Sequence, residues 1–521
     1  MSPLRPFRHR AFAVVWTATL VANVGVWMQS TAAGWLMTTL AHEPRMVALV
    51  QVASALPMFL LGLPAGALAD IFDRRRLLLT MEGVGTALAA GFAVLVAKGL
   101  ATPVVLLGFV FLASAAAAAI APAWQAIVPQ LVETKEDLAP AVALDSVSVN
   151  ISRAVGPALA GAIIGAWGMA APFSLYAVFN LACIAALFWW RPAAGPAKDL
   201  PPEHFGNAIL VGLRHARYNR PLRATLTRAG GFFLFASTYW ALLPLVAREQ
   251  LAGGPGTYGL LLGAIGIGAV VGTTVLPRLK AWLGADRLVD VGSAGTALAL
   301  LLFALARQTS VALVAGALAG WSWIAVLSTL NVSAQTALPG WVRGRGLAAF
   351  ATVMFGAMTI GSLVWGEVAS VRGLPVAHFA AAAGALLAMP LLRRHKLHAG
   401  TGPDLTPSMY WPQQLIADAV EGDRGPVLVT VEYRIADADR DAFLAAVNRQ
   451  GAGRCRNGAY HWGVFEDTAK AGRWLETFVV DSWLEYLRGL GRITHADREL
   501  NEAVLRFQQG DPPRVTHLVA P

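Results

Sequence analysis

A few ionisable side chains interrupt the long apolar stretches of this sequence, and they mark where chemistry could take place. The apolar stretch 140–167 carries small or polar residues at positions i, i+3, i+7 and i+11 of one helical face: Asp145, Ser148, Ser152 and Gly156. Arg153 lies beside that face. An ionisable group among hydrocarbon is costly enough that a functional role is the default interpretation, so Asp145 and Arg153 are candidates for transport or its coupling. The alternative is a structural arginine held by helix-end carbonyls or by Asp145.

Coupling of transport to protons requires a titratable carboxylate near the pathway. The predicted helices offer few, namely Asp145, Glu82 and Glu367. Glu82 is predicted near the inner face of the membrane and Glu367 near the outer face, so Asp145 is favoured. The sequence contains no Gly-Lys dipeptide and hence no phosphate-binding loop, which argues against ATP as the energy source. No cofactor and no metal site are expected.

Uncharged amides in the apolar stretches are further candidates for contact with a transported molecule: Asn23, Gln29, Gln125 and Asn331. Asn150 and Asn180 are similar in type. Each amide taken alone is more often an interhelix hydrogen bond than a ligand contact. Tryptophans such as Trp27, Trp124 and Trp240 suit a largely apolar substrate, although tryptophan also marks membrane interfaces.

The elements that position these residues are membrane-spanning helices. Hydrophobic residues make up 56% of the 521 residues and charged residues 14%, against about 45–50% and about 25% in soluble domains. Apolar runs long enough to cross a bilayer recur along the chain. Breaks at Pro, Gly and charged clusters predict twelve helices, at 12–39, 46–69, 77–97, 102–128, 140–167, 171–190, 224–247, 256–277, 287–306, 309–334, 346–371 and 374–392.

The distribution of charge predicts the orientation of these helices. The net charge of +10 divides into +14 in residues 1–396 and −4 in residues 397–521, so the basic excess lies in membrane loops and does not indicate nucleic acid. Loops on the side of the N-terminus carry 21 Lys and Arg, and loops on the other side carry 5. The positive-inside rule therefore predicts that both termini are cytoplasmic.

Sequence similarity between the two sets of six helices indicates an internal repeat. The segment from Gln125 to Pro129 resembles that from Gln335 to Pro339, and the segment from Val155 to Gly161 resembles that from Ile360, which includes Gly361, to Gly366. Paired halves of this kind can rock against each other around a site at the membrane midplane. The predicted organisation is a six-helix half at 1–190, a cytoplasmic loop at 191–223, a second half at 224–396, a linker at 397–424 and a soluble domain at 425–521.

The loop after the second predicted helix carries a specific motif, with Gly66, Leu68, Asp70, Asp73, Arg74 and Arg75 in the order typical of it. It resembles the cytoplasmic loop motif of the major facilitator superfamily, with Ile71 where a basic residue is usual and Asp73 where glycine is usual. An acid at a helix C-terminus opposes the helix dipole, so Asp70 should need a partner. We interpret Gly66, Asp70, Arg74 and Arg75 as a conformational latch, the alternative being a charge cluster that only fixes topology.

The fifth predicted helix carries a second motif, formed by Ser152, Gly156, Pro157 and Gly161. It resembles the fifth-helix motif of antiporters in the same superfamily, with Ser152 where glycine is usual. Small residues permit close approach of helices, so packing alone is the competing interpretation for these residues and for Gly361.

From residue 402 the composition becomes that of a soluble domain. Alternating runs predict strands at 427–435, 459–465, 474–480 and 515–519, with helices at 437–450 and 482–507, which is a βαββαβ, ferredoxin-like α+β unit. The domain resembles the dimeric α+β barrel family that includes antibiotic-biosynthesis monooxygenases, so dimerisation through it is possible. Its His and Trp residues match the types used by cofactor-free monooxygenases, but a packing or regulatory role is the default.

The join of such a domain to a major facilitator pair of halves resembles the transmembrane secretion effector branch, which includes a siderophore exporter. The resemblance implies an exporter in a bacterial-type inner membrane that moves a small, largely apolar molecule or a siderophore in exchange for protons. Its partners would be the substrate, protons and the lipid bilayer, without nucleic acid. The alternatives are an importer of the same fold, or a membrane-tethered enzyme or sensor that acts through its tail.

Overall fold

The computed structural model describes residues 4–71, 73–191, 205–397, 404–405, 408 and 424–520, except for the side chains of 63, 66–71, 126, 135 and 205–211. Eleven helices in this part of the chain are long and apolar enough to cross a membrane. They are α1 (Arg10–Leu40), α2 (Pro44–Ile71), α3 (Arg74–Ala97), α4 (Pro103–Ile127), α5 (Lys135–Trp167), α6 (Ala171–Trp189), α8 (Arg220–Leu245), α9 (Pro255–Leu305), α10 (Thr309–Thr336), α11 (Arg343–Arg372) and α12 (Leu374–Leu392). A shorter helix, α7 (Phe205–Tyr218), lies in the predicted loop 191–223.

The predicted helices 256–277 and 287–306 correspond to two helical segments that meet at Gly284, where the backbone is not helical. They are joined in α9, a helix of 51 residues that is kinked at Gly284. Pro277 and the basic residues after it indicated a break, but the helix continues past them. The change of direction comes at Gly284, where φ is 75°, a conformation that glycine adopts without strain.

Two units can be distinguished by their packing. The first comprises residues 1–202, 226–331 and 350–397, and it contains most of the membrane-type helices. The second comprises residues 203–225, 332–349 and 398–521. The C-terminal tail is therefore grouped with α7 and with the adjoining ends of α8, α10 and α11.

Close helix contacts in the first unit are made at the glycines of the predicted packing motif. A Cβ on Gly156 would lie 2.5 Å from Trp27 Cβ on α1, and one on Gly161 would lie 2.8 Å from the Pro255 carbonyl oxygen at the start of α9. Ser152 is buried, and its hydroxyl donates to the Ser148 carbonyl at 2.9 Å. On this face of α5, the helix backbone therefore lies against α1 and α9 with almost no side-chain atoms in between.

The carbonyl of Pro157 contributes to the same contact, because it occupies the position that a Cβ on Gly259 would need. Gly361 has an equivalent role elsewhere in the unit. A Cβ at Gly361 would overlap the Leu234 carbonyl and the Ser237 hydroxyl of α8, so α11 can approach α8 only because this position lacks a side chain.

The tail in the second unit forms a four-stranded sheet covered by helices. Its elements are β1 (Val427–Arg434), α13 (Arg440–Arg456), β2 (His461–Glu466), β3 (Arg473–Val480), α14 (Trp483–Gly491), α15 (His495–Leu505) and β4 (Arg514–Val519). The strands are antiparallel in the order β2-β3-β1-β4. All four predicted strands are present, and the predicted second helix is divided into α14 and α15. Alternate residues of β1 and β3 are buried in the core of the domain.

A buried chain of hydrogen bonds connects the tail to α7 and to the segment after α10. The Asn219 side-chain amide donates to the Ala337 carbonyl at 2.7 Å and lies 3.1 Å from His215 Nε2. His215 Nδ1 lies 3.2 Å from the Arg456 carbonyl at the end of α13. Since Nε2 accepts from Asn219, the neutral imidazole carries its proton on Nδ1 and donates it to Arg456.

Trp341 completes this contact. The His215 ring packs edge-on against the indole at 5.6 Å, and the Arg492 guanidinium lies 4.5 Å from the indole ring centroid. Burial is the main cause that lowers the pKa of His215 to about 4, and the charge of Arg456 acts in the same direction. His215 is therefore neutral at physiological pH.

Replacing Gly161 by valine should separate α5 from α9 and lower stability by about 1–3 kcal/mol, because backbone atoms that cannot rotate away surround the added Cβ. Thermal unfolding of the purified chain would measure the loss. Gly165→Val is the matched control, since no atom lies within 4 Å of a Cβ built there, one turn further along α5. Equal melting temperatures for the two variants would contradict this packing.

The second unit should lose stability as the pH falls from about 6.5 towards about 4. The folded-state pKa of His215 lies below its ordinary value of 6.5, so the unfolded chain takes up a proton at a higher pH than the folded chain does. The free energy of unfolding therefore decreases by up to about 1.4 kcal/mol for each pH unit in this range. His215→Phe should melt lower than the wild type at pH 7 but show a shallower decrease between pH 6.5 and pH 5. The control is His461→Phe at an exposed position, and an unchanged slope in His215→Phe would refute the assignment.

Candidate functional site

The first unit contains a cavity of about 420 Å³ between its helices, and this cavity is the candidate site for ligand binding. Residues from α1 to α6 line most of it, and α8 and α9 contribute the remainder. Most of the wall is apolar, with Met, Val, Ala and Leu side chains. The aromatic lining residues are Trp27, Phe109, Trp124, Tyr176, Trp240 and Tyr258. Such a wall suits a substrate with a large apolar surface.

Two carboxylates lie in the wall of this cavity. Asp145 on α5 accepts a hydrogen bond from the Trp124 indole at 3.0 Å, and Glu82 on α3 is the second. The sequence analysis placed Glu82 near the inner face of the membrane and did not predict that it lines the cavity. Asn180 lies next to Glu82, and its side-chain amide donates to the Glu82 carbonyl at 3.1 Å.

Arg153 does not pair with Asp145 and is not a lining residue of this cavity. Its guanidinium lies 5.4 Å from the Trp27 ring centroid, and its Nε has no hydrogen-bond partner in the described part of the chain. The cation is therefore stabilised by an aromatic face.

The predicted polar contacts divide into two groups. Asn23 and Gln29 line the cavity, whereas Gln125, which is exposed, and Asn331 do not. Gln29 is 9% exposed, and its Oε1 is without a hydrogen-bond partner among the residues that the structure describes. Glu367 is exposed on α11 and lies outside the cavity.

A layer of four residues joins the two sets of helices on the predicted extracellular side. The Arg248 guanidinium donates to the Thr38 hydroxyl at 3.1 Å and lies 6.0 Å from the Trp35 ring centroid. Trp35 in turn stacks on Tyr258, with centroids 6.2 Å apart. We call Trp35, Thr38, Arg248 and Tyr258 the outer layer. It links α1 to the segment after α8 and to the start of α9, and its Tyr258 also lines the cavity.

The loop motif between α2 and α3 is described in part. Gly66 and Asp70 belong to α2, but their side-chain environment lies outside the described residues, so the latch remains a prediction. Arg74 is the first residue of α3, and the Arg75 guanidinium donates to the Leu187 and Phe188 carbonyls at 2.8 and 2.6 Å. Arg75 thus neutralises the negative end of α6.

A buried ion cluster was missed by the sequence analysis. Arg228 on α8 is 2% exposed, and its guanidinium contacts Asp286 and Asp290, each at 2.5 Å. The Arg393 side chain also reaches Asp290, at 2.8 Å. The two acids are four residues apart on one helical face, just after the kink at Gly284, and that spacing opposite an isolated helical arginine was an available signal.

This cluster occupies the place in the second half that the loop motif has in the first. Asp286 follows Asp73 by 213 residues, close to the offsets of 210 and 205 between the repeated segments. Both aspartates precede an arginine at the start of a helical segment. The repeat therefore extends to the charged junctions between helices.

Comparison with known proteins gives consistent matches. A family profile described as transmembrane secretion effector matches residues 1–521. The staphyloferrin A transporter of Staphylococcus aureus (strain NCTC 8325 / PS 47) is 26% identical over 292 residues, 55% of this chain and 71% of the relative. The enterobactin exporter EntS of Escherichia coli O1:K1 / APEC is 27% identical over 347 residues, 65% of this chain and 80% of the relative.

Solved structures show the fold. A point mutant of the nucleoside transporter NupG superposes with a TM-score of 0.61 at 10% identity, covering 74% of this chain and 99% of that one. The human organic anion transporter MFSD10 gives 0.55 at 17% identity, covering 75% and 100%. The fold of the helical part is that of the major facilitator superfamily.

Arg228→Met should destabilise the chain by about 1–3 kcal/mol, because it removes the buried partner of Asp290, whose side chain is only 14% exposed, whereas Asp286 is 44% exposed and is screened by solvent. Urea or thermal unfolding of the purified protein would measure this. Arg393 is the second partner of Asp290, and its side chain is 58% exposed. Arg393→Met should therefore cost only about 0–1 kcal/mol. A similar loss for both variants would show that burial does not control this cluster.

Proposed function

The chain belongs to the transmembrane secretion effector family and is a secondary transporter, and on that premise we propose that it exports a small, largely apolar molecule or a siderophore in exchange for protons. The observation that carries this proposal is the cavity, with carboxylates and aromatic rings in its wall and an outer layer across one end. The names of two relatives, an enterobactin exporter and a staphyloferrin A transporter, support a siderophore as one substrate class.

The described conformation corresponds in this proposal to an inward-facing state. The outer layer and the contact of α5 with the start of α9 hold the halves together on the predicted extracellular side. Release of the substrate would require the outer layer to separate while the halves close on the cytoplasmic side. The Asp70 latch would stabilise that closed cytoplasmic side, and the weak contacts of Arg248 with Thr38 and Trp35 are compatible with repeated separation.

The membrane topology follows from the length of α9. At about 1.5 Å per residue, its 51 residues span far more than the roughly 30 Å of one hydrocarbon layer. We propose that the segments before and after Gly284 each cross the membrane, which gives twelve crossings and places both termini in the cytoplasm.

Proton coupling is assigned to the two carboxylates of the cavity. A carboxylate that is exposed to the cavity and lacks a basic partner can bind a proton on one side of the membrane and release it on the other. Asp145 remains the first candidate because the indole of Trp124 holds it at the cavity wall. Glu82 becomes the second because it lines the same space, and Glu367 is excluded because it does not.

The tail has a structural or regulatory role in this proposal. Its strand order β2-β3-β1-β4 is compatible with the predicted ferredoxin-like unit. The chain from Arg456 through His215 and Asn219 to Ala337 ties it to the segment between α10 and α11. Movement of that segment during transport would be transmitted to the tail, and pairing of tails would give a dimer.

Asp145→Asn should abolish the response to a pH gradient while downhill substrate exchange continues, because the amide can neither take up nor release a proton. Flux in reconstituted liposomes, with and without an imposed gradient, measures both properties. Glu367→Gln is the control and should behave as the wild type. If Asp145→Asn still concentrates substrate when the gradient is imposed, Asp145 is not the coupling group, and Glu82→Gln is then the decisive variant.

A further inference from the structure

The charge of the transport cavity has one sign. Glu82 and Asp145 are in its wall, and no Lys, Arg or His is among its described lining residues. Asp145 makes a single hydrogen bond in the described part of the chain, from an uncharged indole. An anionic substrate would therefore meet two like charges and no cation to compensate them.

Two arginines on elements that surround the cavity, Arg153 and Arg248, contact other residues. Arg153 lies over the Trp27 ring, and Arg248 is bound to the Thr38 hydroxyl in the outer layer. Neither contributes to the cavity wall. The described lining residues therefore include no basic side chain that could pair with a carboxylate, phosphate or sulfonate held inside the cavity.

The uncharged lining groups favour a cation as well. Aromatic faces attract a positive charge placed over them, and Trp240 and Tyr258 line the cavity. Gln29 adds a carbonyl oxygen that is nine-tenths buried and lacks a hydrogen-bond donor among the described residues. A buried acceptor without a partner is costly, and a protonated amine would satisfy it by donating an N–H.

We propose that the cavity selects lipophilic cations, with the positive charge held between Asp145 and Glu82 and the apolar groups against the aromatic wall. The inference rests on the proposed function of this cavity as the transport path. Because the same carboxylates hold the proton and the substrate, binding of one displaces the other. Exchange of protons for an organic cation then needs no separate coupling site. The chain would differ in this respect from relatives named for siderophores.

A pair of ions with the same shape and opposite charge tests the proposal directly. Binding of tetraphenylphosphonium and tetraphenylborate would be measured by equilibrium dialysis on the full chain in lipid nanodiscs, with empty nanodiscs subtracted. We expect the cation to bind about tenfold more tightly or better, since electrostatic complementarity separates two ligands of equal apolar area. Equal affinities, or tighter binding of the borate, would overturn the proposal.

Variants test whether the two cavity carboxylates cause the preference for the cation. Glu82→Gln and Asp145→Asn should each weaken phosphonium binding by about tenfold and strengthen borate binding, because each removes one negative charge from the wall. Glu367→Gln removes an exposed carboxylate outside the cavity and should change neither affinity. If Glu82→Gln and Asp145→Asn keep the same preference for the cation as Glu367→Gln, the assignment of this selectivity to the cavity carboxylates is refuted. The comparison of the two ions on the wild type stands even if a variant fails to fold.

Failure of this inference can be distinguished from failure of the exporter proposal. Phosphonium that binds through Glu82 and Asp145 but is not moved in proteoliposomes would leave the cavity chemistry in place and refute export. Export of a siderophore that is unaffected by Glu82→Gln and Asp145→Asn would support export and refute selection of cations by these carboxylates.

Discussion

The cost of placing charge in a membrane interior is the constraint on which the rest of this structure depends. A charged side chain among hydrocarbon must find an opposite charge, a set of dipoles or an aqueous cavity. Arg228 finds Asp286 and Asp290, Arg75 finds the end of α6, and Arg153 finds an aromatic face. The position of each cation therefore fixes which helices must be neighbours.

Two carboxylates stand apart from this pattern, and they define the site. Glu82 and Asp145 face the cavity without a basic partner in the described part of the chain. In the proposed mechanism, water, a proton or a substrate in the cavity would offset the cost of these two charges. The arginines named above have structural contacts, whereas the two carboxylates are proposed to take part in transport. On that proposal, the cavity would exchange one positive species for another.

Sequence reasoning was effective where a local rule controls the outcome. Hydrophobic length located the membrane helices, and strict alternation located the four strands of the tail, because burial of one face of β1 and β3 imposes it. The small residues of α5 were identified from spacing alone, and Gly156 and Gly161 do lie where helix backbones meet. The single face with Asp145 and Ser152 was also recognised, although only Asp145 of that pair lines the cavity.

Features that depend on contacts between distant segments of the chain could not be predicted from the sequence in the same way. The spacing of Asp286 and Asp290 indicates a basic partner, but nothing in the sequence identifies that partner as Arg228, which lies 58 and 62 residues away. Gln125 and Asn331 resemble Asn23 and Gln29 in type, yet the first two do not line the cavity. Pro277 suggested a helix end that the backbone of α9 places seven residues later, at Gly284.

The central claim is that the same two carboxylates hold the proton and the substrate, and its most direct test is proton release on binding. Tetraphenylphosphonium would be added to the full chain in nanodiscs in weakly buffered solution, with a pH indicator following the protons set free. The account predicts about one proton released for each cation bound by the wild type, by linkage of the two equilibria. It also predicts none from a variant with Glu82→Gln and Asp145→Asn combined. Saturable binding of the cation without proton release from the wild type would contradict it.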